Sequence, residues 1–389
     1  MVARHSLVGL AISAALALVA ADAQAQLRYR LKVLSFGVPV GEEEFFNPAA
    51  INNLGAVAGT GYREGDEWYD LNAIAHVALG KTAVPLLGAE AFTESQAYGI
   101  NDRNQIVGSY RLPDTGDRVP YLYQGGHYRN LRVEDTKGDD FATDVNASGQ
   151  AVGRANGRAF LFDGVRSRYI DVPGAVSSQA LALNDHGSVV GSATFNAPGG
   201  DYEDRAFVYD GREVRLLSSP PNSQPAQVVT INNPGQMATI AYNPDDNATR
   251  SFIYEADGQV TQIASLATPP GEREVTTVTG LNNRGWAVGR SVGSNCTEST
   301  CFEAFLWRDG KTVSLNDLLV PWQAKRWHLS DAVAINDRGQ ITGRASFDFL
   351  AFDTYVLTPV PEPQGWALLL AGLGLVGMVA RPRQHRPVP

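Results

Sequence analysis

The chain has 389 residues, 39 of them glycine and 21 proline, and a formal charge of −9. An acidic body does not suit the phosphate backbone of nucleic acid, so no nucleic-acid partner is expected. The length is ample for a single large all-β domain, and the glycine and proline content fits many turns.

At the amino-terminal end, Arg4 and His5 precede an almost wholly apolar run from Leu7 to Ala20, and Ala23-Gln24-Ala25 follows. Charge, short apolar stretch and small-x-small site predict a secretory signal peptide over residues 1–25, cut after Ala25 by the secretion machinery. A retained anchor is the alternative, although the stretch is short for a span. The body of the chain, 26–358, is therefore expected outside the cell.

Seven copies of one phrase occupy that body. They are anchored at Asn52, Asn101, Asn146, Asn184, Asn232, Asn282 and Asn336, with spacings of 49, 45, 38, 48, 50 and 54 residues. A period of that size marks a propeller or a solenoid. Three residues after each anchor stands Gly55, Asn104, Gly149, Gly187, Gly235, Gly285 or Gly339. Gly and Asn are the residues that reach positive φ most cheaply, so each phrase reads as a type I turn closed by a left-handed residue, between two apolar strands. Seven residues after the anchor come Gly59, Gly108, Gly153, Gly191, Gly289 and Gly343, with Thr239 in the fifth copy. A strand glycine marks close backbone approach, here expected where neighbouring units crowd a common axis.

A second phrase follows each first one, as in Arg158-Ala159-Phe160-Leu161-Phe162-Asp163-Gly164, Arg205-Ala206-Phe207-Val208-Tyr209-Asp210-Gly211 and Glu303-Ala304-Phe305-Leu306-Trp307. Aromatic and β-branched enrichment ending at Asp-Gly predicts a third strand running into a hairpin turn. A short fourth run, such as Val214–Leu217, closes the unit. The seventh unit lacks that fourth strand, and Tyr29–Leu34 at the other end of the chain can supply it or can open the first unit instead, with the same strand count. Seven units of four strands predict a seven-bladed β-propeller, which hides most sheet edges by closing on itself. An open β-solenoid is the alternative.

Cys296 and Cys301 are the two cysteines and lie in one gap of the sixth unit. In an exported protein they are expected to form a disulfide that stiffens a surface loop. Two thiols with no histidine nearby fall short of a zinc site, and no metal site is assigned. Beyond the repeats, 359–389 holds Pro361-Glu362-Pro363, an apolar helix predicted over 365–380, then Arg381, Arg383 and Arg386. An apolar segment with cations just beyond it predicts stop-transfer insertion, propeller outside and arginines inside.

The repeated phrases resemble the HAF repeat family, named for a His-Ala-Phe strand motif. Arg158-Ala159-Phe160, Arg205-Ala206-Phe207 and Glu303-Ala304-Phe305 stand where that motif would be, and His76-Val77-Ala78 holds the nearest histidine. That resemblance covers about 45–357 and implies a surface or extracellular protein with no established chemistry. The tail resembles the PEP-CTERM sorting signal. This implies transient anchoring in the inner membrane and handling near Pro361 by an exosortase-type membrane transpeptidase, followed by release or transfer to the surface or matrix.

In a four-strand meander the first and third turns gather on one face and the long connections on the other, where function usually sits. The long connections are acidic and carry aromatic rings: Asp66, Trp68 and Tyr69 in the first unit, and Asp201, Tyr202 and Asp204 in the fourth. Rings beside carboxylates suit sugars, and carboxylates suit Ca²⁺, the one cofactor entertained. The bland reading is a set of solvated loops. The four histidines of the body, His76, His127, His186 and His328, fall in separate units, and no nucleophile or phosphate-loop motif occurs. No catalytic residue is assigned. The sequence favours a non-enzymatic surface protein that binds extracellular polysaccharide or another envelope or biofilm component. An exported carbohydrate-active enzyme using the acidic loops is the alternative.

Overall fold

The structure is a computed structural model, and the residues it describes are 27–36, 44–64, 71–134, 138–220, 223–267, 273–293, 302–347 and 351–360. The chain divides into two compact units. One is 30–358; of the other, 1–29 with 359–389, only 27–29 and 359–360 are described. The signal peptide with Ala25, the cysteines Cys296 and Cys301, the loop with Asp66, Trp68 and Tyr69, and the tail with Pro361, Glu362, Pro363, Arg381 and Arg383 all lie outside the described residues. No helix among the described residues is long and apolar enough to cross a membrane.

The fold is a seven-bladed β-propeller of four-stranded antiparallel sheets. With strands lettered a to d in each blade, blade 1 is Glu44–Ile51, Val57–Glu64, Leu71–Ala78 and Thr82–Pro85. Blade 2 is Glu94–Ile100, Ile106–Arg111, Arg118–Gln124 and His127–Asn130, and blade 3 is Phe141–Val145, Ala151–Ala155, Arg158–Phe162 and Ser167–Tyr169. Blade 4 is Ser177–Leu183, Val189–Asn196, Tyr202–Tyr209 and Val214–Leu216, and blade 5 is Gln227–Ile231, Met237–Asn243, Ala248–Tyr254 and Val260–Ile263. Blade 6 is Thr276–Leu281, Ala287–Val292, Phe302–Arg308 and Lys311–Ser314. Blade 7 takes Trp327–Ile335, Ile341–Phe347 and Ala351–Val360 from the carboxy-terminal side, and Arg28–Val33 is its outermost strand. The amino-terminal strand therefore completes the last blade. The solenoid alternative is excluded.

Each a–b turn has the predicted geometry. Gly55, Gly149, Gly187, Gly235, Gly285 and Gly339 have φ between 75° and 88°, and Asn104 has 57°. In every copy the left-handed residue donates its N–H to the anchor's carbonyl, as Gly55 does to Asn52 at 3.0 Å, and the anchor N–H closes the hairpin, as Asn52 does to Ala56.

The strand-b glycines have a different cause from the one expected. Each a strand slips register just before its turn, between Ala97 and Gly99 in blade 2 and between Ala180 and Ala182 in blade 4. This bulge pushes an a-strand carbonyl under the glycine of the same blade: a Cβ on Gly108 would lie 1.8 Å from the Gln96 carbonyl oxygen, and one on Gly191 2.2 Å from that of Gln179. The crowding lies within a blade, between its a and b strands. From strand c an aromatic ring covers the bare position, Tyr121 opposite Gly108, Phe160 opposite Gly153 and Phe207 opposite Gly191. In blade 1 that partner is His76, opposite Gly59. His76 therefore occupies the phenylalanine position of the strand motif rather than its first position, and its Nδ1 lies 2.7 Å from the Ile74 carbonyl oxygen.

Apolar side chains of adjacent blades interlock to form the core. Between blades 3 and 4, Val152, Leu161 and Ile170 pack with Leu183, Val189 and Phe207, all buried. Strand b is buried on both faces, as in Ala151–Gly153, because it has a sheet neighbour on each side and a blade above and below. The d strands of blades 1, 2, 4 and 5, by contrast, are largely exposed.

A side-chain amide also pairs with the closing strand. Leu31 donates its N–H to Gln323 Oε1 at 2.8 Å and accepts from Gln323 Nε2 at 2.7 Å, so Gln323 pairs with the strand as a peptide group would. The chain then continues to Ser35–Phe36, a fifth strand parallel to the d strand of blade 1. Gln323→Ala is expected to leave the buried Leu31 groups without partners and to lower stability by about 2 kcal/mol, read as a lower urea midpoint.

Candidate functional site

The anchor asparagines close the propeller around its axis. Asn52 Nδ2 donates to the Asn101 carbonyl at 2.9 Å, Asn101 to Asn146 at 2.9 Å, Asn146 to Asn184 at 3.1 Å and Asn184 to Asn232 at 3.2 Å. Asn232 donates to Asn282 at 3.0 Å, Asn282 to Asn336 at 3.0 Å, and Asn336 back to Asn52 at 2.7 Å. All seven are buried. Each Oδ1 meanwhile accepts from the backbone of its own turn, the Arg284 and Trp286 N–H groups in the case of Asn282 and the Gln236 N–H alone in that of Asn232, where Pro234 has none to give. One residue type thus makes both the turn and the seam to the next blade.

A second girdle lies beside the first. The N–H of Asn53 meets Asp102 Oδ1, Asp185 meets Asn233, Asn233 meets Asn283, Asn283 meets Asp337 and Asp337 meets Asn53, at 2.7–2.8 Å. Ala147 also donates, to Asp185, but its own side chain offers Asp102 no acceptor, so this girdle is open between blades 2 and 3. Together the turns surround an axial opening of about 220 Å³. Its carboxylates are engaged by amides, as Asp337 is by Asn283 Nδ2 at 2.8 Å, which leaves a narrow polar pore rather than a reactive centre.

Asp144 is the one carboxylate two residues before an anchor; Ala50, Gly99, Ala182, Thr230, Gly280 and Ala334 hold the equivalent places. It accepts the Val145 N–H at 2.8 Å and the Leu183 N–H at 3.0 Å, across a blade seam. Burial outweighs those two bonds and, with Asp185 nearby, raises its pKa from 3.8 to about 6. A folded value above the unfolded one means that the protonated group favours the fold. Its contribution is complete below pH about 4 and is lost as pH rises through about 6. Urea unfolding of the parent and of Asp144→Ala from pH 4 to 7 is expected to show the parent losing stability relative to the variant across that window.

The opposite, long-loop face holds a larger cavity of about 620 Å³, lined by Tyr98, Arg111, Arg118, Phe141, Thr143 and Arg154, with Asp139 at its edge. The repeat builds it. Tyr98 and Thr143 are the bulge residues of strands a in blades 2 and 3, while Arg111 ends strand b and Arg118 starts strand c of blade 2. Arg111 Nε and Arg118 Nη2 clasp Glu94 at 3.1 and 2.7 Å, and Arg118 Nη1 donates to Gln96 Oε1 at 3.0 Å. Asp139, its side chain 77% exposed, stands 4.0 Å from Arg118. Tyr98 donates its hydroxyl to Gln96 Oε1 and meets Phe141 edge-on at 6.2 Å; burial raises its phenol pKa above the usual range.

Among the residues expected to form a binding face, Asp201, Tyr202 and Asp204 lie on the exposed b–c hairpin of blade 4. Tyr202 is 71% exposed and Asp204 accepts from the Thr194 hydroxyl at 2.6 Å. They line none of the cavities described above. Among the described residues no three His, Cys, Asp or Glu side chains come together as metal ligands. The arginine cavity was missed because its residues come from two blades. The signal was nonetheless present: position eight after the anchor is arginine in three copies, Arg154, Arg290 and Arg344.

No protein-family model matches the sequence, and no curated protein matches it. Solved structures match by fold. The chain is similar to the β-propeller domain of the Trilobed protease from Pyrococcus furiosus, described as having an open velcro topology. The TM-score is 0.54 at 7% identity, covering 82% of this chain and 98% of that one. It is also similar to a puromycin-hydrolyzing peptidase of Mycobacterium tuberculosis, with a TM-score of 0.51 at 13% identity, covering 85% of this chain and 56% of that one. At such identities the likeness is one of fold: the protein is a β-propeller.

Proposed function

We propose that this is an exported, surface-sorted binding protein whose long-loop face takes up extracellular polysaccharide or another envelope component. On this reading its tail is handled by an exosortase-type transpeptidase near Pro361. The observation that carries the reading is the 620 Å³ cavity on the long-loop face, where arginines and aromatic rings of two blades meet. Its carboxylates favour binding over turnover: Glu94 is committed to two arginines, and no carboxylate pair recurs at a fixed place in the blades.

Binding of the exported protein to an array of neutral and acidic glycans, with and without Ca²⁺ and with product analysis, tests the reading. Retention of intact sugar is expected, and release of cleaved product would overturn it. Intact mass of the same material tests the sorting: a chain ending near residue 361 is expected, and one that keeps Arg386 excludes processing.

A further inference from the structure

The arginine at position eight after the anchor occurs in blades 3, 6 and 7, and two of the three are engaged. Arg290 lies over the Phe302 ring at 4.9 Å, and Arg344 donates to Asp331 Oδ2 at 3.0 Å. Arg154, in the same place on blade 3, forms no ion pair and no hydrogen bond through its guanidinium among the described residues. It is half-buried in the wall of the 620 Å³ cavity. The other two arginines of that wall already have partners in Glu94, Gln96 and the Gly116 carbonyl. One planar cationic fork is thus left open in a partly enclosed site. Phe141, the cross-strand neighbour of Arg154, and the half-buried Tyr98 line the same cavity, with Thr143 beside them.

We infer that this cavity between blades 2 and 3 is the site for an acidic sugar residue, its carboxylate paired with Arg154 and its ring set against Tyr98 and Phe141. A guanidinium matches a carboxylate through two parallel N–H···O bonds, and pairing is strongest where water is partly excluded. Aromatic faces supply apolar area to the C–H face of a sugar, and the cavity lies in the range that encloses one or two such rings. Among the described residues of this wall, Glu94 is clasped by Arg111 and Arg118, and Asp139 is largely exposed and stands nearer Arg118 at 4.0 Å. The neighbouring arginines offset both negative charges, so the wall is net positive on an otherwise acidic chain.

This inference rests on the polysaccharide-binding reading, and one titration series separates the two. Uronic-acid oligosaccharides, and the same oligosaccharides with carboxyl groups reduced to alcohols, are titrated into the exported protein and into its Arg154→Gln and Arg154→Lys variants. Arg290→Gln serves as the control. The expected result is preference for the acidic form, weakened at least tenfold by Arg154→Gln, partly restored by Arg154→Lys and unchanged by Arg290→Gln, with unaltered melting temperatures. Equal binding of both forms, or an unaffected Arg154→Gln variant, overturns the acidic site and leaves the glycan reading standing. Absence of binding to every oligosaccharide overturns the acidic site, and the polysaccharide reading falls with it only if the glycan array is silent as well.

Discussion

Asn282→Ala is expected to cost on the order of 3 kcal/mol and to lower the urea midpoint accordingly. The substitution strips the Asn336 carbonyl of its donor and leaves the Arg284 and Trp286 N–H groups without an acceptor, at a residue 3% exposed. Each buried group so abandoned costs about 1–3 kcal/mol. Asn282→Asp is the sharper test. It keeps the acceptor for the turn but sets a carboxylate oxygen against the Asn336 carbonyl, so the turn survives while the seam is repelled. Its loss is expected to equal or exceed that of the alanine variant. The exposed Asn130, whose Oδ1 accepts only the Arg132 N–H, is the control, and Asn130→Ala should shift stability by less than about 1 kcal/mol. If Asn282→Asp is as stable as the parent, the seven bonds are not what holds the blades together.

Gly108→Ala is expected to cost about 3 kcal/mol or to prevent folding. Its new methyl group would lie 1.8 Å from the Gln96 carbonyl oxygen and 2.9 Å from the Tyr121 hydroxyl. The first of these is backbone of a bulged inner strand, so relief requires moving the ladder that lines the axis. Gly80→Ala is the counterpart: nothing lies within 4 Å and φ is not positive, so the change should be within about 0.5 kcal/mol of neutral. Equal stability of the two variants in thermal unfolding would refute the close approach.

What the sequence determined by itself is local. An Asn whose side chain accepts the N–H groups two and four residues on, and a Gly with positive φ three residues on, are satisfied within five residues of chain, as at Asn184 and Gly187. Such a turn therefore leaves the same residue pattern wherever it recurs. Counting these turns and their following strands gave seven blades and a candidate for the missing strand at Tyr29–Leu34; that it completes the last blade and does not open the first was decided by the fold.

What only the tertiary structure decided are the contacts whose partners lie far apart in the chain. The anchor amide reaches a carbonyl 38 to 54 residues away, and 284 away at the closing seam. No local pattern distinguishes that amide from one facing water. The strand glycines were visible, but their cause was not: it needs the bulge that brings the Gln96 carbonyl beneath Gly108. Arg154, Arg290 and Arg344 occupy the same place in the repeat and differ in whether Phe302 or Asp331 stands in reach. A charge becomes available for a ligand only when folding leaves it without a partner, and that depends on the neighbouring strands rather than on the phrase that carries it.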